Sequence, residues 1–292
     1  MSKEKVRDAS DGEPQGDIWL DMQIEPKQVL VQQQAIITIR IYQAVSLSQA
    51  QISEPAPAHA IVERLGEDST FQTTKNGRRW HVTERRYALF PQQSGQLEIE
   101  PLQLDGSVMV GNGGYFQSAK PVRVRSNALN LDVRAIPTSW NAAEWLPAKQ
   151  IRLEESWPES IEHKVGEPIT RTLTVYADGL TSSQLPVFFT ALPDFLKAYP
   201  DTPVLSDDKK ASGIIGSRQE KTAIMPTRPG TYIWPELSLS WWNTETGKLE
   251  EASIPARTFK VIADASANVS QPVDPAAAEH LQVADVKPAS TT

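Results

Sequence analysis

The stretch VQQQAIITIRIY (Val31–Tyr42) returns as VGEPITRTLTVY (Val165–Tyr176). Val31, Thr38, Ile39, Ile41 and Tyr42 fall on Val165, Thr172, Leu173, Val175 and Tyr176 at one spacing of 134. Ala35, Ile37, Ile39 and Ile41 alternate with their neighbours, and Ile169, Arg171, Leu173 and Val175 continue the pattern in the second copy. That period of two is the signal of a half-buried strand. Further on, Ala88, Pro91, Gly95, Leu102 and Leu104 fall on Ala223, Pro226, Gly230, Leu237 and Leu239 at a spacing of 135. Two distant blocks that share nearly one offset describe a duplicated domain, since solenoid repeats are far shorter.

Outward from this core the same pattern recurs. Ile18, Leu20, Met22 and Ile24 alternate until Pro26 breaks the run. Asn76-Gly77 is the strongest short hairpin signal in the chain. It predicts arms near 70–74 and 78–90, the second matched in the repeat by Gly213–Met225. On that arm Trp80, Val82, Glu84, Arg86 and Ala88 share a face, and its charged members predict a bulge or a turn toward solvent. Thr246-Gly247 predicts a second hairpin turn, and the proline-rich run from Leu180 to Pro203 predicts a segment wrapped round a sheet edge. Short strands separated by frequent turns, with 22 prolines and 15 glycines to make them, are the signature of sandwiches or barrels. The expected fold is all-β: two tandem immunoglobulin-like β-sandwich domains with disordered termini. The expected divisions are a flexible lead 1–16, a first domain 17–134, a linker 135–149, a second domain 150–262 and a disordered tail 263–292.

A chain of 292 residues fits two domains. Its net charge of -7 supplies no basic excess for counterion release, which argues against nucleic acid as a partner. Zero cysteines exclude disulfides, thiolate metal sites and a cysteine nucleophile. No apolar run of about 18 residues is present, so no membrane-spanning helix is expected within this sequence, and its charged start lacks the apolar core of a signal peptide.

The residues show little chemistry. The four histidines, His59, His81, His163 and His280, lie far apart, and no His-Glu-x-x-His spacing occurs. No Gly-x-Ser-x-Gly elbow is present. The glycine cluster Gly111-Asn112-Gly113-Gly114 reads as an inter-strand loop, because a phosphate loop opens a helix and none is signalled here. Asp207-Asp208-Lys209-Lys210 reads as a solvated loop, because calcium needs more oxygens than it offers. The expectation is a protein that is not an enzyme and carries no cofactor and no metal.

Three features are candidates for contact. Arg78, Arg79, Arg85 and Arg86 bracket one hairpin arm; they form either a strip for an acidic partner or a solvated face paired with Glu63, Glu67 and Glu84. Trp241 and Trp242 must point to opposite faces of a strand, so one ring enters the core. The other lies at a binding surface or under the following hairpin. Trp145 and Leu146 stand in the expected linker, where large apolar groups mark either a fixed interdomain joint or the start of the second core.

The segments LSQAQISEP (Leu47–Pro55), VERLGED (Val62–Asp68), NGRR (Asn76–Arg79), ERRYALFPQ (Glu84–Gln92) and Ser94-Gly95 resemble the bacterial BatD proteins, the oxygen-tolerance or aerotolerance family. WLPAK (Trp145–Lys149), LEESW (Leu153–Trp157), VGEPITRT (Val165–Thr172) and WWNTETG (Trp241–Gly247) continue the resemblance in order and spacing. It covers roughly Asp17 to Val261. It implies periplasmic immunoglobulin-like domains at the inner membrane of a Gram-negative bacterium. The system would include a MoxR-type ATPase and membrane proteins with von Willebrand A and tetratricopeptide domains. It also implies a signal peptide and a membrane anchor, which this sequence does not show, so the chain is expected to be an excerpt or a truncated product. The family offers no catalytic residue to carry over. The function expected is a non-catalytic protein-binding scaffold. The alternatives are a carbohydrate- or peptidoglycan-binding module and a chaperone-like edge-strand binder.

Overall fold

Alternation becomes packing in the first strands. In β1 (Ile18–Glu25), Ile18, Leu20, Met22 and Ile24 are buried. After the short β2 (Gln28–Leu30), β3 (Ala35–Gln43) lies antiparallel to β1 with Leu20 opposite Ile41 and Met22 opposite Ile39. The inward rows of both strands build the first core. Next come β4 (Leu47–Ile52), β5 (Ala60–Lys75), β6 (Arg78–Pro91), β7 (Gly95–Ile99), β8 (Gln103–Val110), β9 (Ser118–Arg125) and β10 (Leu129–Arg134). One sheet runs β1-β3-β6-β5; against it stand β2-β10-β7 and β4-β8-β9. If β7–β8 and β9–β10 are taken as two interrupted strands, this is the order A-B-E-D against A′-G-F-C of an immunoglobulin-like sandwich.

The computed structural model describes residues 16–110, 118–158, 160–188 and 192–263. Residues 1–15 of the lead, the glycine cluster at 111–114, His280 and the tail from 264 lie outside the described residues.

The second half repeats the first. It comprises β11 (Pro147–Ala148), β12 (Gln150–Ser156), β13 (Glu162–Lys164), β14 (Ile169–Asp178), β15 (Leu196–Pro200), β16 (Val204–Lys210), β17 (Gly213–Pro226), β18 (Gly230–Trp234), β19 (Leu237–Asn243), β20 (Lys248–Ile254) and β21 (Arg257–Ile262). Its first sheet runs β12-β14-β17-β15, with β16 also on β17; the others are β13-β21-β18 and β11-β19-β20. Equivalent hydrogen bonds recur. Val31 N–H donates to Arg134 O at 2.9 Å, as Val165 N–H does to Ile262 O at 3.0 Å. Gln32 N–H donates to Pro91 O at 2.7 Å, as Gly166 N–H does to Pro226 O at 2.9 Å. Gln32 and Gly166 share a positive φ, 64° and 80°, so the same turn is made with a glutamine in one copy and a glycine in the other. The second interior is aromatic at one end, where Trp157 and Trp234 pack round Phe259.

Three local readings change. The Asn76-Gly77 hairpin is longer on its first arm, because β5 runs from Ala60 and absorbs a register shift between Leu65 and Ser69. The irregularity lies there and not on β6. The charged face of β6 does not turn to solvent: Glu84 is buried between Arg40 and Arg86, and Ala88 is fully covered. Asp207–Lys210 is not a loop but the end of β16, an exposed strand held by its ladder to β17.

The copies also differ at one position in the fold. In the first, β4 pairs with β8. In the second, the corresponding residues form a single 3-10 turn, Ser182–Gln184, and Pro147–Ala148 pair in parallel with Trp242–Asn243 instead. Part of the expected linker is thus a strand of the second sandwich.

Candidate functional site

The tip of the β16–β17 hairpin reaches the outer face of the first sandwich. Ile214 is fully buried among Leu65, Ala88 and Phe90, with Ile36 beside them. Its N–H donates to Gln34 Oε1 at 2.8 Å, and Gln34 is itself buried. This covering explains why Tyr87 to Pro91 are buried on both faces of β6. Arg86 Nη1 donates to Ala211 O at 3.0 Å, and Lys209 pairs with Glu63 at 2.8 Å. On the opposite flank Trp145 Nε1 donates to Val31 O at 2.8 Å. Trp140 stands edge-on to Trp145 at 5.1 Å, and the Trp242 ring lies 6.2 Å from it. A buried apolar cluster backed by directional hydrogen bonds fixes an orientation, because buried polar groups that lose their partners are costly.

The side chains singled out from sequence fall into different settings. Trp145 spans the joint, while Leu146 enters the second core with Ala148, Ile151 and Trp241. Trp242 packs against Trp145, so its outward ring meets the joint. Arg85 forks onto Asp68, with Nε at 2.9 Å and Nη2 at 2.8 Å. That hydrogen bond from Arg85, opposed by burial, holds the Asp68 carboxyl below its ordinary range, and Asp68 in turn raises the already high pKa of Arg85. Burial pushes Glu84 upward, but hydrogen bonds from Arg40 and Arg86 outweigh it and leave its pKa lowered. Arg78 bonds Gly16 O and Asp17 and lies over the Trp80 ring at 4.9 Å. Arg79 alone of the four is exposed and without a partner among the described residues. The arginines are therefore not one strip: Arg86 belongs to the joint, Arg85 and Arg78 to internal pairs.

None of the eight tryptophans is exposed. His59 and His81 are exposed and His163 is buried edge-on to Phe259 at 6.1 Å. No group of three or more His, Asp or Glu side chains placed to hold a metal occurs among the described residues. Sequence reasoning missed Gln34, Ile214 and Ala211. They sit in connections or at a hairpin tip, and only the docking gives them a role.

No family model matches the chain, and no curated protein matches it. Among solved structures it is similar to FdeC, an adhesin of Escherichia coli, at 14% identity and a TM-score of 0.18. The match covers 85% of this chain, which spans 63% of that one. It is also similar to the C-terminal domain of the Streptococcus agalactiae AgI/II polypeptide BspA, at 8% identity and a TM-score of 0.18, covering 83% of this chain and 99% of that one. At such scores neither likeness carries an argument about function, and the strand order above carries the fold.

Proposed function

We propose that the chain is a non-catalytic binding arm: two immunoglobulin-like sandwiches held at a fixed angle to present surfaces to another protein. The observation that supports it most is the docking of Ile214 into the first sandwich. A flexible tether has no need of such a contact, whereas a scaffold that fixes distances does. The ordered resemblance from Leu47 to Gly247 supports the finer reading. On it the partners are von Willebrand A and tetratricopeptide proteins of a Bat-type oxygen-tolerance or stress system, met at the periplasmic face of the inner membrane. The chain carries no chemistry of its own in this reading, and the work of the system lies with those partners. Glycan stacking is less favoured, since it needs exposed aromatic platforms and all eight tryptophans are at least half-buried.

The test is a titration of residues 17–263 against a soluble von Willebrand A domain of such a system, with magnesium and with chelator. Saturable binding is expected, and its loss on chelation would place the contact at the partner's metal face. Absence of binding up to high micromolar concentration would overturn the proposed partnership.

A further inference from the structure

Each strand position of one sandwich has a counterpart in the other, and among the described residues one position of the second sandwich is not filled. In the first sandwich β4 covers the edge of β8: Gln51 lies opposite Asp105, Ser48 opposite Ser107, and Ser53 N–H donates to Gln103 O at 3.0 Å. Residues 103, 105 and 107 therefore face that edge. Their counterparts, at the spacing of 135, are Ser238, Ser240 and Trp242 of β19. Trp242 N–H donates to Leu146 O at 3.0 Å, which places all three on the corresponding edge, because strand N–H groups alternate sides. The short β11 reaches only Trp242 and Asn243. Along Ser238 and Ser240 no backbone partner occurs on this side among the described residues.

The residues that would fill the position have moved. Thr181–Pro186, the counterpart of β4, leave the edge: Ser182 N–H goes to Asp207 Oδ1 at 2.6 Å, and Gln184 reaches Gln32 O of the first sandwich. Leu47 and Ile52 of β4 pack on the first core. In the second sandwich the chain that follows Pro186 borders a groove of about 390 Å³, lined by the apolar Val187, Phe188, Leu192 and Trp234 and by charged residues that include Arg171 and Glu220. Phe188 also touches the core cluster that holds Leu239 and Trp241. Val187 and Ile233 are 68% and 70% exposed.

We infer that this edge and groove form an acceptor site for one extended β-strand of a partner protein. The occupant follows from what fills the same position in the first sandwich: a strand with apolar residues at intervals, as in β4. Backbone hydrogen bonds to Ser238 and Ser240 would hold it, and apolar side chains entering the groove would select it. The inference rests on the reading of the chain as a binding arm and assigns the surface that binds.

Hydrogen exchange tests it. In the free chain the Ser238 and Ser240 amides are expected to exchange roughly tenfold or more faster than those of Gln103 and Asp105. A synthetic peptide copying Val45–Glu54 should slow them, and the same peptide with proline at the position of Gln51 should not. Ser240→Pro removes only an unbonded N–H, so the variant should fold, as edge strands tolerate proline, yet lose the peptide effect. Leu239→Pro, which breaks the β20 ladder, is the destabilised control. Equal exchange at the two pairs of sites overturns the inference. So does failure of the peptide to protect at millimolar concentration, or protection that survives Ser240→Pro. Binding of a von Willebrand A domain equally to wild type and Ser240→Pro would remove this site and leave the binding-arm reading standing. Peptide capture without that partner would keep the site and remove the partner.

Discussion

At the scale of single residues, the joint depends on side chains whose partners lie far away in sequence. Within the second sandwich, Gly216 is under a backbone constraint of the same long-range kind. A Cβ there would meet Ser182 N and Thr181 C at 2.5 Å and Leu180 O at 2.6 Å, all backbone atoms that cannot swing aside. Gly216→Ala should therefore cost about 2–3 kcal/mol, an overpacking cost, read as a lower urea midpoint at unchanged slope. Glu84 predicts a pH dependence. Its folded pKa is lowered from 4.5, so its stabilisation is fully present above that value and is lost as pH falls through the folded pKa. Asp68, lowered from 3.8, acts in the same direction further down. Wild-type stability should fall with pH below about 4.5. Glu84→Gln should be less stable at neutral pH but flatter over that range; an identical profile in thermal melts at several pH values would contradict the assignment. Gly216 sits in an ordinary strand pattern, so its constraint was not legible in the sequence. The pairing of Glu84 with Arg86, on the same face of one strand, was one of the two readings the sequence allowed, but Arg40 joins them only when β3 and β6 pair.

Elements were read with uneven success, and the reason is local against non-local information. β1, β3 and the Asn76-Gly77 and Thr246-Gly247 turns carry their own signal in a few consecutive residues. Arg78–Pro91 was legible as a strand, but its burial on both faces was not, because Ile214 arrives from the other sandwich. The move of Thr181–Pro186 away from the edge was invisible for the same cause: the turn is stabilised by Asp207 and reaches Gln32. The four arginines stand close along the chain, but the structure sends Arg78, Arg85 and Arg86 to separate partners and leaves Arg79 without one among the described residues. The β16–β17 hairpin is the element on which this view depends. Ile214→Asp would place an unpaired carboxylate in the apolar cluster. It is expected to release the tip and let the two sandwiches tumble separately in NMR relaxation, with each core intact. Trp145→Phe, which keeps a ring but deletes the N–H bonded to Val31 O, should loosen the joint less. An unchanged common tumbling time in Ile214→Asp would show that the hairpin does not hold the domains.

At the scale of the whole molecule, duplication supplies two similar sandwiches, and the proposed binding surface lies in their differences. The first keeps its edge strand; in the second the matching segment turns toward the joint, and among the described residues the edge at Ser238 and Ser240 has no backbone partner. A fixed joint and an open edge suit a protein that holds a partner's strand at a set distance from other contacts. The central claim is that the two sandwiches form one body. Because the chain has no cysteine, nitroxide labels at Glu98→Cys and Lys248→Cys would report one clean distance between the domains. Both positions are exposed strand residues, one in each sandwich. Pulsed dipolar spectroscopy should give a single narrow distance distribution in the wild-type background and a broad one when Ile214→Asp is added. A distribution already broad without that change would contradict the account, since it would mean the linker, not the docked hairpin, governs how the domains sit.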